Sequence, residues 1–260
     1  MSDATITTER DGHVLLVGLN RAHKRNAFDV AMYESLGDAY GLLERDDSLR
    51  CAVLFAHGDH FTGGLDLPQW GPVFAGGAFP VREGGRDPVG LYGPRVTKPI
   101  VCAVQGTCLT IGIELLLATD VRVCASNARL GQIEVKRGIY PVGGATLRMP
   151  RECGYGNAMR WLLTGDLFDA QEALRIGLVQ EVVGPERLLA RATEIAHTIA
   201  RQSPLGVRAT LASTRAMEID GEDAAAKRLL PDIVPLLASD DAREGVQSFL
   251  ERREARFTGR

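Results

Sequence analysis

An α/β fold with a helical C-terminal part is the class this sequence predicts, and three observations predict it. Short apolar runs recur in the first half, at CAVLFAH (51–57), PIVCAVQG (99–106) and VRVCA (121–125). Segments with helical spacing, at 26–44 and 113–120, stand between such runs, which makes strand–helix–strand crossovers. From Gly143 onward, helical stretches dominate to the end of the chain.

The elements follow in order. Thr5 to Thr8 and Val14 to Leu19 read as strands around an Asp11-Gly12 turn, a common hairpin signal. Asn26 to Glu44 reads as an amphipathic helix, with Met32, Leu36, Tyr40 and Leu43 at helical spacing. CAVLFAH and PIVCAVQG are buried strands, IELLLATD (113–120) is a short buried helix, and VRVCA returns as a strand. Helices are then expected over 145–149, 157–163 and 170–175, the last with Asp169 as its N-cap. LVQEVV (178–183) reads as a short strand. Longer helices are expected over 186–201, 204–217 and 224–237, the last kinked or broken by Pro231 and Pro235, and a final helix ends near Arg256. The Gly- and Pro-rich segment 68–94 has no clear periodicity and reads as a long loop of the kind that forms lids or binding loops.

Composition narrows the function classes. A chain of 260 residues, 45% hydrophobic and 24% charged, is an ordinary globular protein with room for one large core or two small domains. A formal net charge of -3 gives no sign of a nucleic-acid binder. The five cysteines are an odd number without a CxxC pair, so reduced, buried thiols in a cytoplasmic protein are expected rather than disulfides. MSDATITTERDG lacks an apolar signal core, and no apolar run reaches the roughly 18 residues that span a bilayer.

Two glutamates twenty residues apart carry the chemistry. Glu114 follows Gly112 at the start of an apolar run, and Glu134 follows Gln132 in GQIEVKRGIYPVGG. Upstream, HFTGGLDL places Gly63, Gly64, Leu65 and Asp66 in a turn after a strand. Two carboxylates for proton transfer and two turns that aim N–H groups at one oxygen suit chemistry through an enolate. Taken singly, the features are bland. Glu114 is then a helix N-terminal glutamate favoured by the dipole, Glu134 a surface strand residue, and Gly63-Gly64 a turn. Asp66 reads as a cap for a helix beginning at Leu67. Trp70 and Tyr92 stand evenly between lining a pocket and packing a loop. The histidines at 57 and 60 read as structural or solvent-facing, and Cys108 as a small buried residue.

Taken together, NRAHKRNAF, FTGGLDL, KPIVCAVQG with the Glu114 helix, GQIEVKRGIYPVGGATLRMPR, LLTGDLFDAQEALRIGLVQEVV and SDDAREGVQSFLERREARFTG stand in order along almost the whole chain. In this the chain resembles the crotonase superfamily, the enoyl-CoA hydratase/isomerase family. The resemblance implies a spiral of ββα repeats over residues 1–200 that holds an acyl-CoA site, with a C-terminal helical region over 201–260 for trimerisation. It implies an acyl-CoA thioester as substrate, assembly as a homotrimer or dimer of trimers, and no metal or other cofactor, coenzyme A being part of the substrate. Neither a nucleic acid nor a membrane is expected as a partner. The thioester oxygen would be held by the backbone N–H groups of Leu65 and Ile111. Glu114 would handle the attacking water and Glu134 the Cα proton. Lys24, Ala27, Gly63, Gly64, Asp66, Leu67, Gly112 and Tyr140 are carried over as substrate- and CoA-contacting positions.

Two departures from the family pattern stand out. Ile111 occupies a position where efficient hydratases usually have glycine, and Leu65 one where alanine is common. Both put bulk beside the thioester and imply an altered acyl preference or lower activity on short chains. Hydration of a trans-2-enoyl-CoA is the leading expectation, because both glutamates are kept. Double-bond isomerisation or another crotonase reaction is the alternative, and a non-catalytic acyl-CoA-binding oligomer the second.

Overall fold

A hairpin opens the fold: β1 (Ile6–Asp11) pairs antiparallel with β2 (Val14–Leu19) around Gly12, whose φ of 59° suits glycine at the tight turn. The structure, a computed structural model, describes residues 4–260. Residues 1–3, where the segment without a signal-like core begins, lie outside the described residues. After α1 (Val30–Arg45) come β3 (Cys51–Ala56), a short α2 (Gly71–Gly76), β4 (Ile100–Val104), β5 (Thr107–Leu109), α3 (Ile111–Ala118), β6 (Val121–Ala125) and β7 (Arg129–Gly131). The second half runs through α4 (Ala145–Cys153), α5 (Tyr155–Thr164), β8 (Phe168–Asp169), α6 (Ala170–Arg175), β9 (Glu181–Val183) and α7 (Leu188–Ala200). It ends with α8 (Pro204–Asp220), α9 (Glu222–Ala226), α10 (Leu229–Leu237) and α11 (Asp240–Glu251).

The strands form a six-stranded sheet of order β1-β2-β3-β4-β6-β9, parallel from β2 onward, and a three-stranded sheet of order β5-β7-β8. Strand side chains alternate between faces. Cys51, Val53, Val101, Ala103 and Val123 therefore meet α7, whose Ala192, Ala196 and Ala200 keep that contact close. Ala52, Leu54, Ile100, Cys102 and Val104 face the larger core with α1 and α3. Burial on both faces explains why these strands read as continuous apolar runs. Among the described residues, no helix is long and apolar enough to cross a membrane. All five cysteines are free and buried.

Several expectations are corrected. The first helix begins at Val30, capped by Asp29, which accepts the Met32 N–H at 2.8 Å. Arg25 and Asn26 have positive φ (51° and 52°), and Phe28 pairs with Leu65, so that stretch is a loop. Buried Met149 and Cys153 carry α4 beyond 149, and α5 starts at Tyr155 rather than 157. Leu178 and Val179 are core residues of a turn, so only 181–183 is strand. The stretch 185–187 is a 3-10 turn ahead of α7. The break expected at Pro231 or Pro235 falls earlier, between α9 and α10. Pro231 is tolerated in the first turn of α10, where its missing N–H has no helical partner to lose. The last helix ends at Glu251, because Arg252 turns left-handed with φ 55°. Asp66 caps nothing. Its carboxylate pairs instead with Arg21 at 3.1 Å, beside a 3-10 turn over 67–69.

The segment 68–94, expected as a long loop, includes the short α2 and is anchored to the core at a few buried residues. Trp70 is fully buried and donates from Nε1 to the Phe28 carbonyl at 2.9 Å. Buried Asp87 accepts from Tyr33 Oη and from the N–H groups of Leu91 and Tyr92, each at 2.6 Å. One carboxylate thus gathers donors that no strand or helix serves.

Candidate active site

Three chain segments meet side by side at the ends of short parallel strands. Thr62 bridges Cys108 of β5, and β5 pairs with β7 in the register Leu109–Gly131. The segments leaving Thr62, Leu109 and Gly131 carry Leu65, Ile111 with Glu114, and Glu134. This register brings glutamates twenty positions apart to one place.

They line a cavity of about 200 Å3 with Gly63, Leu65, Leu67, Ile111 and Tyr140. Of the residues expected from the sequence, Lys24, Ala27, Gly64, Asp66 and Gly112 lie outside its lining. Gly112 serves packing: a Cβ there would stand 2.6 Å from Thr62 Cγ2 and 3.0 Å from Cys108 Sγ. Gly64 (φ 110°) lets the first turn approach the second, since a Cβ would lie 2.6 Å from Thr110 Oγ1. Ala27 offers its carbonyl to Arg21 at 2.8 Å. Lys24 is exposed at the end of a 3-10 turn.

Among the described residues, the N–H groups of Leu65 and Ile111 have no hydrogen-bond acceptor. Phe28 takes up the carbonyl of Gly64 and the N–H of Asp66, on either side of Leu65. Ile111 opens α3, where the first N–H groups have no helical partner. Its predecessor Thr110 holds φ 51° and ψ -113°, a strained conformation for a β-branched residue. Ile111 itself is 1% exposed and packed into the core, so most of its bulk is absorbed there.

Glu114, in the first turn of α3, is 3% exposed. Its Oε1 accepts from Gly143 N–H at 2.6 Å and, more weakly, from Ala145 N–H at 3.4 Å. Burial, and next the charge of Glu134, push its carboxyl up to about 8. Glu134 begins a 3-10 turn over 134–137 and is 8% exposed; burial pushes it up to about 7. The side chain of buried Gln132 faces the Thr110 carbonyl and Glu134; exchanging its amide oxygen and nitrogen satisfies both, the nitrogen then donating to the Thr110 carbonyl and to Glu134 Oε1 at 3.1 Å. It ties the second glutamate to the turn that carries Ile111.

Sequence reasoning passed over Gln132, and also Asn26. Asn26 is 1% exposed and locks the loop before α1 by donating to the carbonyls of His57 (3.0 Å) and His60 (2.8 Å). A polar residue within a run that becomes buried was the available signal for Gln132; Asn26 stands after the exposed, charged stretch 22–25 and carried no such signal. Of the two aromatic residues left open, Trp70 packs the loop, whereas Tyr92 lines a second cavity of about 500 Å3. Cys108 is buried, which pushes its thiol well up and keeps it neutral. A groove of about 660 Å3 passes His57 and His60, but these are already bonded, to Thr7 Oγ1 (2.8 Å) and to the Thr107 N–H (3.2 Å). It assembles no reactive set.

Comparison with known proteins points to one family. The enoyl-CoA hydratase/isomerase family model matches residues 9–260. The enoyl-CoA hydratase EchA19 of Mycobacterium tuberculosis is 36% identical over 256 residues, covering 97% of this chain and 96% of the relative. The crotonyl-CoA hydratase of Syntrophomonas wolfei is 34% identical, with 99% of each chain covered. Among solved structures, a probable enoyl-CoA hydratase/isomerase from Mycobacterium abscessus superposes with a TM-score of 0.96 at 50% identity, covering 99% of each chain.

Proposed function

The chain belongs to the enoyl-CoA hydratase/isomerase family, and on that premise we propose that it is an enoyl-CoA hydratase, adding water across the double bond of a trans-2-enoyl-CoA. One observation carries the reading: two buried carboxylates and two N–H groups without acceptors border one small cavity. Relatives named as hydratases support it.

Water adds through its oxygen to Cβ and gives a proton to the Glu114 carboxylate. The electron pair of the double bond moves to the thioester oxygen, where Leu65 and Ile111 N–H groups hold the enolate. Each such donor contributes about 3 kcal/mol to the transition state. The enolate collapses as Cα takes a proton from the Glu134 carboxyl. The reaction needs one proton on the pair, and one water is consumed per turnover. Dehydration runs from the same singly protonated pair with the proton on Glu114. Lys24 and Arg25 are exposed, Arg25 against Gly63, and supply positive charge for the CoA phosphates.

Every candidate site residue lies within 1–200, which supports a division into a site-bearing core and an oligomerisation region over 201–260. Leu230 and Phe249, 78% and 82% exposed, give that region an apolar surface suited to a homotrimer or dimer of trimers. Free, buried cysteines suit the reducing cytoplasm.

The test follows the absorbance of the conjugated thioester with trans-2-enoyl-CoA. Loss of absorbance with 3-hydroxyacyl-CoA as product supports a hydratase. A 3-enoyl-CoA converted to conjugated product without hydration identifies an isomerase instead, and CoA-ester binding without any turnover identifies a scaffold.

A further inference from the structure

The 200 Å3 cavity between the glutamates lies against the second one, of about 500 Å3, and the two share the wall residues Phe74, Ile139, Tyr140 and Val142. The larger chamber is apolar. Phe79 and Tyr92 stack in its wall at 4.9 Å with an 18° interplanar angle. The Tyr92 hydroxyl is occupied, donating to the Val142 carbonyl at 2.7 Å. Gly77 and Ala78 contribute almost no side chain to the wall, and a Cβ on Gly77 would meet nothing within 4 Å. The chamber is held in shape from behind, because Asp87 fixes the Leu91 and Tyr92 N–H groups.

Its position gives the direction of the occupant. The chamber joins the smaller cavity at Val142, next to Gly143, which holds Glu114. It therefore borders the smaller cavity on the side where Glu114 is held. Gly63, which has Arg25 against it, lines the smaller cavity but not the larger chamber, so the cationic residues stand apart from the chamber. A short acyl group ends among the glutamates and leaves the larger chamber wet, whereas an apolar tail displaces water from walls that are mostly apolar.

We propose that this chain acts on apolar acyl-CoA esters of medium or long chain, with the acyl tail filling the chamber walled by Phe74, Phe79, Tyr92, Ile139 and Val142. The proposal rests on the acyl-CoA reading above and is separable from the reaction, because a saturated ester probes the chamber without turnover. Each buried methylene strengthens binding about fourfold at most, the equivalent of about 0.8 kcal/mol.

Isothermal titration of the full chain with butyryl-CoA and decanoyl-CoA tests it, in the wild type and in Ala78→Trp, whose indole fills the chamber from an exposed position. Decanoyl-CoA is expected to bind the wild type about 10- to 100-fold more tightly than butyryl-CoA, and Ala78→Trp to erase most of that ratio. Equal affinities in the wild type, or a ratio that Ala78→Trp leaves unchanged, would overturn the proposal. So would tighter binding of glutaryl-CoA than of decanoyl-CoA, which would assign the acyl end to Arg137 on the smaller cavity. Lack of hydration of any enoyl-CoA would sink the hydratase reading and leave these binding results to stand or fall separately.

Discussion

Gly143 and Glu114 are matched to each other: the Gly143 N–H donates to Glu114 Oε1 at 2.6 Å, and a Cβ on Gly143 would stand 2.5 Å from Glu114 Oε2. The hydrogen bond and the missing side chain together set where that carboxylate sits. Gly143→Ala is expected to displace it and lower kcat by about 100-fold, since misplacement on the order of 1 Å has that effect. Steady-state kinetics with a circular-dichroism check of folding decide the matter. An undiminished kcat would mean that Glu114 needs no such positioning.

With its amide oxygen and nitrogen exchanged, Gln132 donates to Glu134 at 3.1 Å and so moderates the rise that burial gives this carboxyl, without removing the proton it delivers. In Gln132→Leu that donor is gone, so the neutral acid gains and the first proton of the pair leaves at higher pH than in the wild type. The acidic limb of the kcat/KM profile then moves to higher pH. A limb that stays in place would show that the amide does not contact the carboxylate.

Glu114 works against stability. Its folded value, about 8, lies above its ordinary 4.5, so the folded chain binds more protons than the unfolded chain between those values. Stability attached to this group is full below 4.5 and is lost as pH rises through about 8. Glu114→Gln is therefore expected to raise Tm relative to wild type more at pH 8 than at pH 5, at the expense of activity. A Tm difference independent of pH would remove the argument.

Asp87 ties the segment 68–94 to α1 through Tyr33 and to its own turn through Leu91 and Tyr92. Asp87→Ala leaves buried donors without partners and is expected to cost about 3 kcal/mol of stability. Urea unfolding measures this, and titration of the same variant with decanoyl-CoA is expected to show weaker binding. A loss below about 1 kcal/mol would show that water replaces the carboxylate.

The elements that were legible in the sequence are those whose signals are local. VRVCA is a strand to the residue, Asp169 caps its helix by accepting the Glu172 N–H at 2.9 Å, and Glu114 lies in the first turn of a buried helix. What was misread depends on partners far along the chain. Asn26 looks helical until its side chain is seen to serve the carbonyls of His57 and His60. The anchors of the loop 68–94 were not legible because Trp70 and Asp87 draw their order from α1 and the loop before it. The two glutamates were singled out from motif order, but their shared cavity follows from the β5–β7 register, which no local pattern encodes.

The most direct measurement compares hydration of trans-2-decenoyl-CoA by wild type, Glu114→Gln and Glu134→Gln, with ester binding measured in parallel. The account predicts turnover by the wild type and a loss of about 100- to 10,000-fold in each variant, with binding retained. A wild type that binds the ester without hydrating it, or a variant that keeps wild-type turnover, would contradict the two-glutamate mechanism.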